Sequence, residues 1–162
     1  MAISANGMIA KEDDNTGWIS KIEWDSYSVA VRQSGCLVVG RRTYYILTKQ
    51  PEFTELNDVK LIVVSRSKVE LISQNHLIVA SPKEALEKLK DFKIIIVAGG
   101  SILNAAFIEE NLIDEIYLDI EPIILGKGIK LFSDGDFEKN LELINVKKLS
   151  KNEIQLHYRI IK

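Results

Sequence analysis

Five short apolar runs limit what this chain can fold into. Cys36–Gly40 (CLVVG), Lys60–Ser65 (KLIVVS), His76–Ala80 (HLIVA), Lys93–Gly100 (KIIIVAGG) and Glu115–Ile124 (EIYLDIEPII) are rich in valine and isoleucine and nearly unbroken. A strand with one wet face must alternate apolar and polar residues. A strand buried on both faces need not, and parallel sheets are built from such strands. Helical patterns lie between the runs. Ser20–Ser34 is one. SPKEALEKLK is another, with Ser81 as N-cap, Pro82 at the first helical position and Glu84 completing a capping box. SILNAAFIEENL is a third. This alternation predicts an α/β fold: a twisted, mostly parallel sheet flanked by helices, joined by right-handed crossovers. The C-terminal stretch LELINVKKLSKNEIQLHYRIIK instead reads as an antiparallel hairpin turning at Ser150–Asn152. Its alternation of Ile154, Leu156, Tyr158 and Ile160 predicts one covered face and one wetter face. At the other end, MAIS reads as a strand end with little strand before it.

The 162 residues show no repeat and no Pro/Gly/Ser-rich linker, so one domain spanning 1–162 is expected. Hydrophobic residues make up 46% and charged residues 27%, enough for an ordinary core. A net charge of −2 leaves no broad basic surface for nucleic acid or an anionic membrane, so any affinity for anions is local. No apolar run reaches the ~18 residues of a membrane span. The single cysteine, Cys36, sits inside an apolar run, as a buried structural thiol would. With no signal peptide, it points to a reducing, cytoplasmic setting. His76 and His157 lie far apart in strand patterns. Neither metal-ligand spacing nor a Ser/His/Asp arrangement is visible, so no metal is expected.

The chemistry gathers where strands end. Gly40 is followed by Arg41, Arg42 and Thr43 at a helix start, where two cations oppose the helix dipole unless an anion relieves them. VVSRSK places Ser65, Arg66, Ser67 and Lys68 after the next strand. IIIVAGGSIL runs from strand to helix through Gly99-Gly100, so backbone can approach a ligand and free N–H groups can meet phosphate. In open α/β sheets ligands bind at the carboxyl ends of strands. Three such ends suggest a ligand with several phosphates, such as a dinucleotide, although G-x-G-x-x-G is absent. The polar loop KEDDNTG, Lys11–Gly17, is a candidate lid, and Gly126-Lys127-Gly128 forms a second loop.

In this order, ANGMIA, GW, a carboxylate at a helix start, VVGRRTY, VVSRS, VAGGSIL and DEIYLDIEP resemble the dihydrofolate reductase superfamily over nearly the full chain. That resemblance implies an NADPH-dependent oxidoreductase. It implies a small-molecule substrate and a monomer or homodimer, with neither nucleic acid nor membrane as partner. It assigns Gly40, Arg41, Arg42 and Thr43 to the cofactor phosphates, and Ser65 and Arg66 to the adenosine 2′-phosphate. Gly99, Gly100, Ser101 and Ile102 match its pyrophosphate turn. Ala2, Asn6, Ile9 and Ala10 match the segment lining the nicotinamide and the mobile loop. Glu23 and Trp18 are implied as catalytic, and Glu23, Tyr27, Ile3 and Asp119 as substrate-binding. The folate branch, reducing 7,8-dihydrofolate to tetrahydrofolate in one-carbon metabolism, is favoured by GRRTY and by the acid after GW. The alternatives are the riboflavin-biosynthesis reductase of a ribosylamino-pyrimidine phosphate, which EPIILGKGIKLF resembles, and a non-catalytic nucleotide-binding protein of this fold. Asp119 stands where folate enzymes usually place threonine, and Gly17 where they place proline.

GWISKIEWDSY offers two acids for the folate-binding role. Ser20 and Glu23 have capping-box spacing, which alone would make Glu23 a helix cap and Asp25 the freer acid. The resemblance reverses this. The family's carboxylate lies five residues after the loop tryptophan and four before an aromatic or apolar residue. Trp18, Glu23 and Tyr27 keep both spacings. Residues four apart share a helical face, and Asp25 points away from it.

Overall fold

The computed structural model describes residues 1–162. Its parallel core has the order β5-β4-β3-β6, formed by β3 (Cys36–Gly40), β4 (Lys60–Val64), β5 (His76–Val79) and β6 (Ile96–Val97). A second ladder runs β1-β7-β10-β9, from β1 (Ala2–Ser4), β7 (Glu115–Glu121), β10 (Ile154–Ile160) and β9 (Leu141–Lys148). β1 is parallel to β7, and β10 is antiparallel to both neighbours. A short antiparallel pair joins β2 (Met8–Ala10) to β8 (Ile129–Lys130). The helices are α1 (Lys21–Ser34), α2 (Arg41–Leu47), α3 (Pro82–Lys88) and α4 (Ser101–Glu109), with a 3₁₀ segment at Pro51–Leu56.

The unbroken apolar runs have the predicted cause. Leu37, Val39, Leu61 and Val63 enter one buried cluster with Val31, Tyr44 and Phe53. Their neighbours Cys36, Val38 and Ile62 enter a second with Ala85, Leu103 and Phe107. Both faces of β3 and β4 are therefore core, and each such large side chain stabilises by about 1.5–3 kcal/mol. His76 is buried in this region, with Nδ1 2.9 Å from the Tyr44 hydroxyl.

Two runs are shorter as strands than their composition suggests. Of Lys93–Gly100, only Ile96 and Val97 join a ladder. The Ile94 carbonyl is taken by the Ser34 hydroxyl at 2.9 Å, so a side chain occupies what a strand would use. Glu115–Ile124 stops pairing at Glu121 because Pro122 has no N–H to donate. Gly128 is dictated by close approach: a Cβ there would stand 2.5 Å from the Ala10 carbonyl, inside the β2–β8 pair.

Candidate active site

α1 begins as a capping box begins: the Ser20 hydroxyl accepts from the Glu23 N–H at 3.1 Å. A full box would also send the Glu23 carboxylate back to the Ser20 N–H. That N–H instead donates to Oε1 of Glu121, on β7, at 2.9 Å. Glu23 is thereby released from capping and turns inward, 6% exposed. The contrast with α3 is instructive. There the Ser81 hydroxyl accepts from the Glu84 N–H at 3.3 Å, and Glu84 does reach back, accepting from the Ala80 N–H at 2.8 Å.

The floor under Glu23 is acidic. Asp119 and Glu121 alternate along β7, so they share a face, and both are buried. Asp119 accepts from the Gln155 amide at 2.7 Å and from the terminal ammonium of Met1 at 3.2 Å. Burial pushes the Glu23 carboxyl from 4.5 up to about 7, and the Asp119 and Glu121 carboxylates push the same way. The Met1 ammonium and the Ala2 N–H oppose them. Tyr27 stands one turn along α1 with its hydroxyl buried and unpartnered, as is the Trp24 indole N–H. Burial, and then the charge of Glu23, hold the Tyr27 phenol well above its ordinary value. Asp25 is exposed and pairs with Lys21 at 2.9 Å.

The other residues expected around the substrate are dispersed. Ile3 is buried in β1 but pairs with Ile120, so its side chain leaves the sheet opposite Asp119 and Glu121. Trp18 is half-buried just after the Lys11–Gly17 loop, its indole N–H donating to the Asn15 carbonyl at 3.3 Å. Glu121 was not among the candidates, yet it decides what Glu23 does. Its signal was available in DIEP, where two acids at period two interrupt an apolar strand.

A second cluster lies at the carboxyl edge of the parallel strands. β4, β3 and β6 are adjacent, so Ser65-Arg66, Gly40-Arg41-Arg42-Thr43 and Gly99-Gly100 come to one edge. The Gly40 N–H donates to the Gly99 carbonyl at 2.7 Å, tying two of these ends together. Gly99 has φ 84° and is joined to Gly100 by a cis peptide. Neither α2 nor α4 has a side-chain cap, so their first N–H groups are available to a ligand. Arg41 and Arg66 are exposed, and so is Ile102, at 79%. The Ser65 hydroxyl serves its own turn, bonding Ser67. Arg42 is ion-paired with Asp14 of the Lys11–Gly17 loop, which bridges the loop to this edge.

Asn6 is engaged in structure: its amide donates to the Leu125 carbonyl at 2.7 Å and its oxygen accepts from the Leu125 N–H at 3.1 Å. Ile9 and Ala10 lie in β2 beside β8. A cavity of about 480 Å³ separates Lys11–Asp13 from Ile124–Lys127, and neither acid cluster nor arginine edge lines it. No group of three or more His, Cys, Asp or Glu is placed to hold a metal ion. No helix is long and apolar enough to cross a membrane.

Comparison with known proteins gives this arrangement a context. Residues 1–155 match the RibD C-terminal domain. The chain belongs to that family. The uncharacterised protein YwjB of Bacillus subtilis (strain 168) is 31% identical over 98% of this chain and 94% of its own. Dihydrofolate reductase type 1 of Escherichia coli is 32% identical over 75% of this chain and 74% of its own. The fold matches the crystal structure of a protein of Shewanella sp. PV-4 assigned to riboflavin biosynthesis, with TM-score 0.82 and 22% identity over 100% and 97% of the two chains. It also matches dihydrofolate reductase from Enterococcus faecalis complexed with NADP(H) and RAB-propyl, with TM-score 0.75 and 18% identity over 99% and 94%. This RibD-type chain therefore has the reductase fold the motifs imply, and its relatives support an oxidoreductase.

Proposed function

We propose that this chain is an NADPH-dependent reductase of a pterin-like C=N bond, with 7,8-dihydrofolate as substrate and tetrahydrofolate as product. The observation that carries the proposal is Glu23: a buried carboxyl freed from capping by Glu121, with a proton affinity near neutrality. NADPH, when bound, supplies hydride to the imine carbon. This chain's residues do the rest. The arginine edge suits the cofactor: Arg41, Arg42 and Arg66 are cations for its phosphates, and the uncapped N–H groups of α4 suit pyrophosphate. Gly100, without a side chain, lets backbone approach it.

Glu23 accepts from the substrate's amino group and ring N3 when ionised, and holds a proton for the neighbouring imine nitrogen when neutral. A pKa near 7 makes both states available. Hydride to carbon and proton to nitrogen together complete reduction of the double bond. Tyr27 brings an unpartnered hydroxyl within reach of the Glu23 charge. Asp119 positions it by charge. The Lys11–Gly17 loop closes over the nicotinamide and excludes water. A reducing, cytoplasmic setting belongs to this reading, on the single buried thiol of Cys36.

A second reading is favoured by the family itself: reduction of a ribosylamino-pyrimidine phosphate. The test is loss of reduced-nicotinamide absorbance with purified protein and each substrate in turn. Turnover with dihydrofolate supports the first reading, and turnover with the pyrimidine phosphate alone supports the second. NADPH binding without turnover on either would make the chain a nucleotide-binding protein.

A further inference from the structure

Two adjacent tyrosines of α2 hold a stretch of backbone that no ladder holds. From Ser65 to Asn75, between β4 and β5, the chain forms neither strand nor helix. Its first residue is fixed to the sheet, the Ser65 N–H donating to the Val79 carbonyl at 2.8 Å. Further along, the Glu70 N–H donates to the Tyr45 hydroxyl at 3.3 Å and the Ile72 N–H to the Tyr44 hydroxyl at 2.9 Å. Val69, beside them, is buried in the cluster that contains Tyr44. Only Arg66, Ser67 and Lys68 stand between these two anchorages, and all three are exposed. The place of Arg66 is therefore set by backbone held at Ser65 on one side and at Val69–Ile72 on the other.

Tyr44 is the fully buried member of the pair. Besides Ile72, its hydroxyl meets Nδ1 of His76 at 2.9 Å, the two rings standing edge to face. A buried hydroxyl proton left without an acceptor costs free energy, so the phenol donates to Nδ1 and the imidazole carries its own proton on Nε2. Burial holds His76 below its ordinary value and keeps it neutral, as this bond requires. The oxygen's lone pairs are then left for the Ile72 N–H. A phenylalanine would fill the same space in the cluster. The hydroxyl adds only these two bonds, and both partners lie at the far end of the loop that carries Arg66. The same helix carries Arg41 and Arg42 in its first turn, so Tyr44 links the two basic groups of this edge. We propose that, on the reading of this chain as an NADPH-dependent reductase, Tyr44 is a positioning residue for cofactor selectivity: its hydroxyl holds the loop so that Arg66 stands where the adenosine 2′-phosphate binds.

Fluorescence titration of the intact chain with NADPH and with NADH tests this, because the two cofactors differ only in the 2′-phosphate. The wild type is expected to bind NADPH more tightly. Tyr44→Phe should lower the ratio of the two Kd values by about 10-fold, the low end of what one charge-assisted pair contributes. The loss should fall on NADPH and leave the Kd for NADH unchanged. In an Arg66→Ala background the same substitution should leave the ratio unchanged, because Tyr44 acts through Arg66. An unaltered ratio in Tyr44→Phe, equal weakening of both cofactors, or an equally large fall without Arg66 would overturn the proposal and leave the NADPH reading standing. A wild type that binds the two cofactors equally would overturn that reading and the proposal with it. Should Tyr44→Phe not fold, amide hydrogen exchange of the wild type gives an independent measure. Coupling is reciprocal: if the tie to Ile72 readies Arg66 for the 2′-phosphate, a bound 2′-phosphate protects the tie. The Ile72 amide should exchange about 10-fold more slowly with NADPH bound than with NADH bound, and equal rates would overturn the proposal.

Discussion

Replacing Glu23 by glutamine removes the ionisable group while nearly keeping its shape, and the structure fixes what should follow. The folded carboxyl titrates at about 7 against an ordinary 4.5, first through burial and then through Asp119 and Glu121. The folded state therefore holds its proton more tightly than the unfolded state. That benefit is fully present below pH 4.5 and is lost as pH rises to about 7. At about 1.4 kcal/mol per pH unit, the ionised group costs the fold about 3 kcal/mol above that range. Glu23→Gln should therefore be more stable than the wild type by about 3 kcal/mol at alkaline pH, with the advantage shrinking towards zero below pH 4.5. Urea unfolding followed by circular dichroism across pH measures this directly. Activity should move the opposite way. Loss of a positioned acid/base costs ~10²-fold or more in kcat/KM, and the wild-type fall above pH 7 should vanish from the variant's profile. A variant no more stable than the wild type at alkaline pH would refute the account of Glu23 as a buried, charge-crowded acid. A more stable variant with full activity would leave the account of burial standing and remove Glu23 from the chemistry.

Glu121→Leu should lower kcat/KM although the residue touches no reacting atom: with no acceptor left on the Ser20 N–H, Glu23 takes the vacated capping bond, and the pH profile should shift with it. Arg66→Ala should reduce preference for NADPH over NADH by about 10- to 100-fold, the worth of one charge-assisted pair, as the ratio of kcat/KM values will show. Asp14→Asn should tighten NADPH binding in a fluorescence titration, because Arg42 no longer has a carboxylate competing with phosphate. Gly100→Ala should weaken NADPH binding, but its Cβ would also meet the Thr43 hydroxyl at 3.1 Å. The substitution is best measured in a Thr43→Ala background, where a persisting loss of affinity belongs to the ligand and a vanished one to the clash.

What was legible in the sequence depended on how local its cause was. Two-sided burial of β3 and β4 shows in their own composition, and the edge of Arg41, Arg42, Arg66 and Gly100 follows from consecutive residues at strand ends. The short β6 was not legible, because it turns on one hydroxyl, Ser34, reaching the Ile94 carbonyl from sixty residues away. Nor was the Asp14–Arg42 pair, which needs the Lys11–Gly17 loop folded against α2. The hairpin's period of two marks its apolar side, but the covered face it predicts is found only in part: Ile160 is buried, whereas Ile154 is 38% exposed. Glu23 is the sharpest case. Its S-x-x-E spacing is the same as that of Ser81 and Glu84, and local chemistry makes both acids caps. At α3 the acid stays at the helix end, accepting from the Ala80 N–H one residue before the cap. At α1 a carboxylate 101 residues from Ser20 takes its N–H first. The acid is then held in a dry, negatively charged floor, where its proton affinity rises into the range useful for chemistry at neutral pH. The same local motif thus gives a helix cap or a candidate acid/base, and what separates the two outcomes is one long-range hydrogen bond.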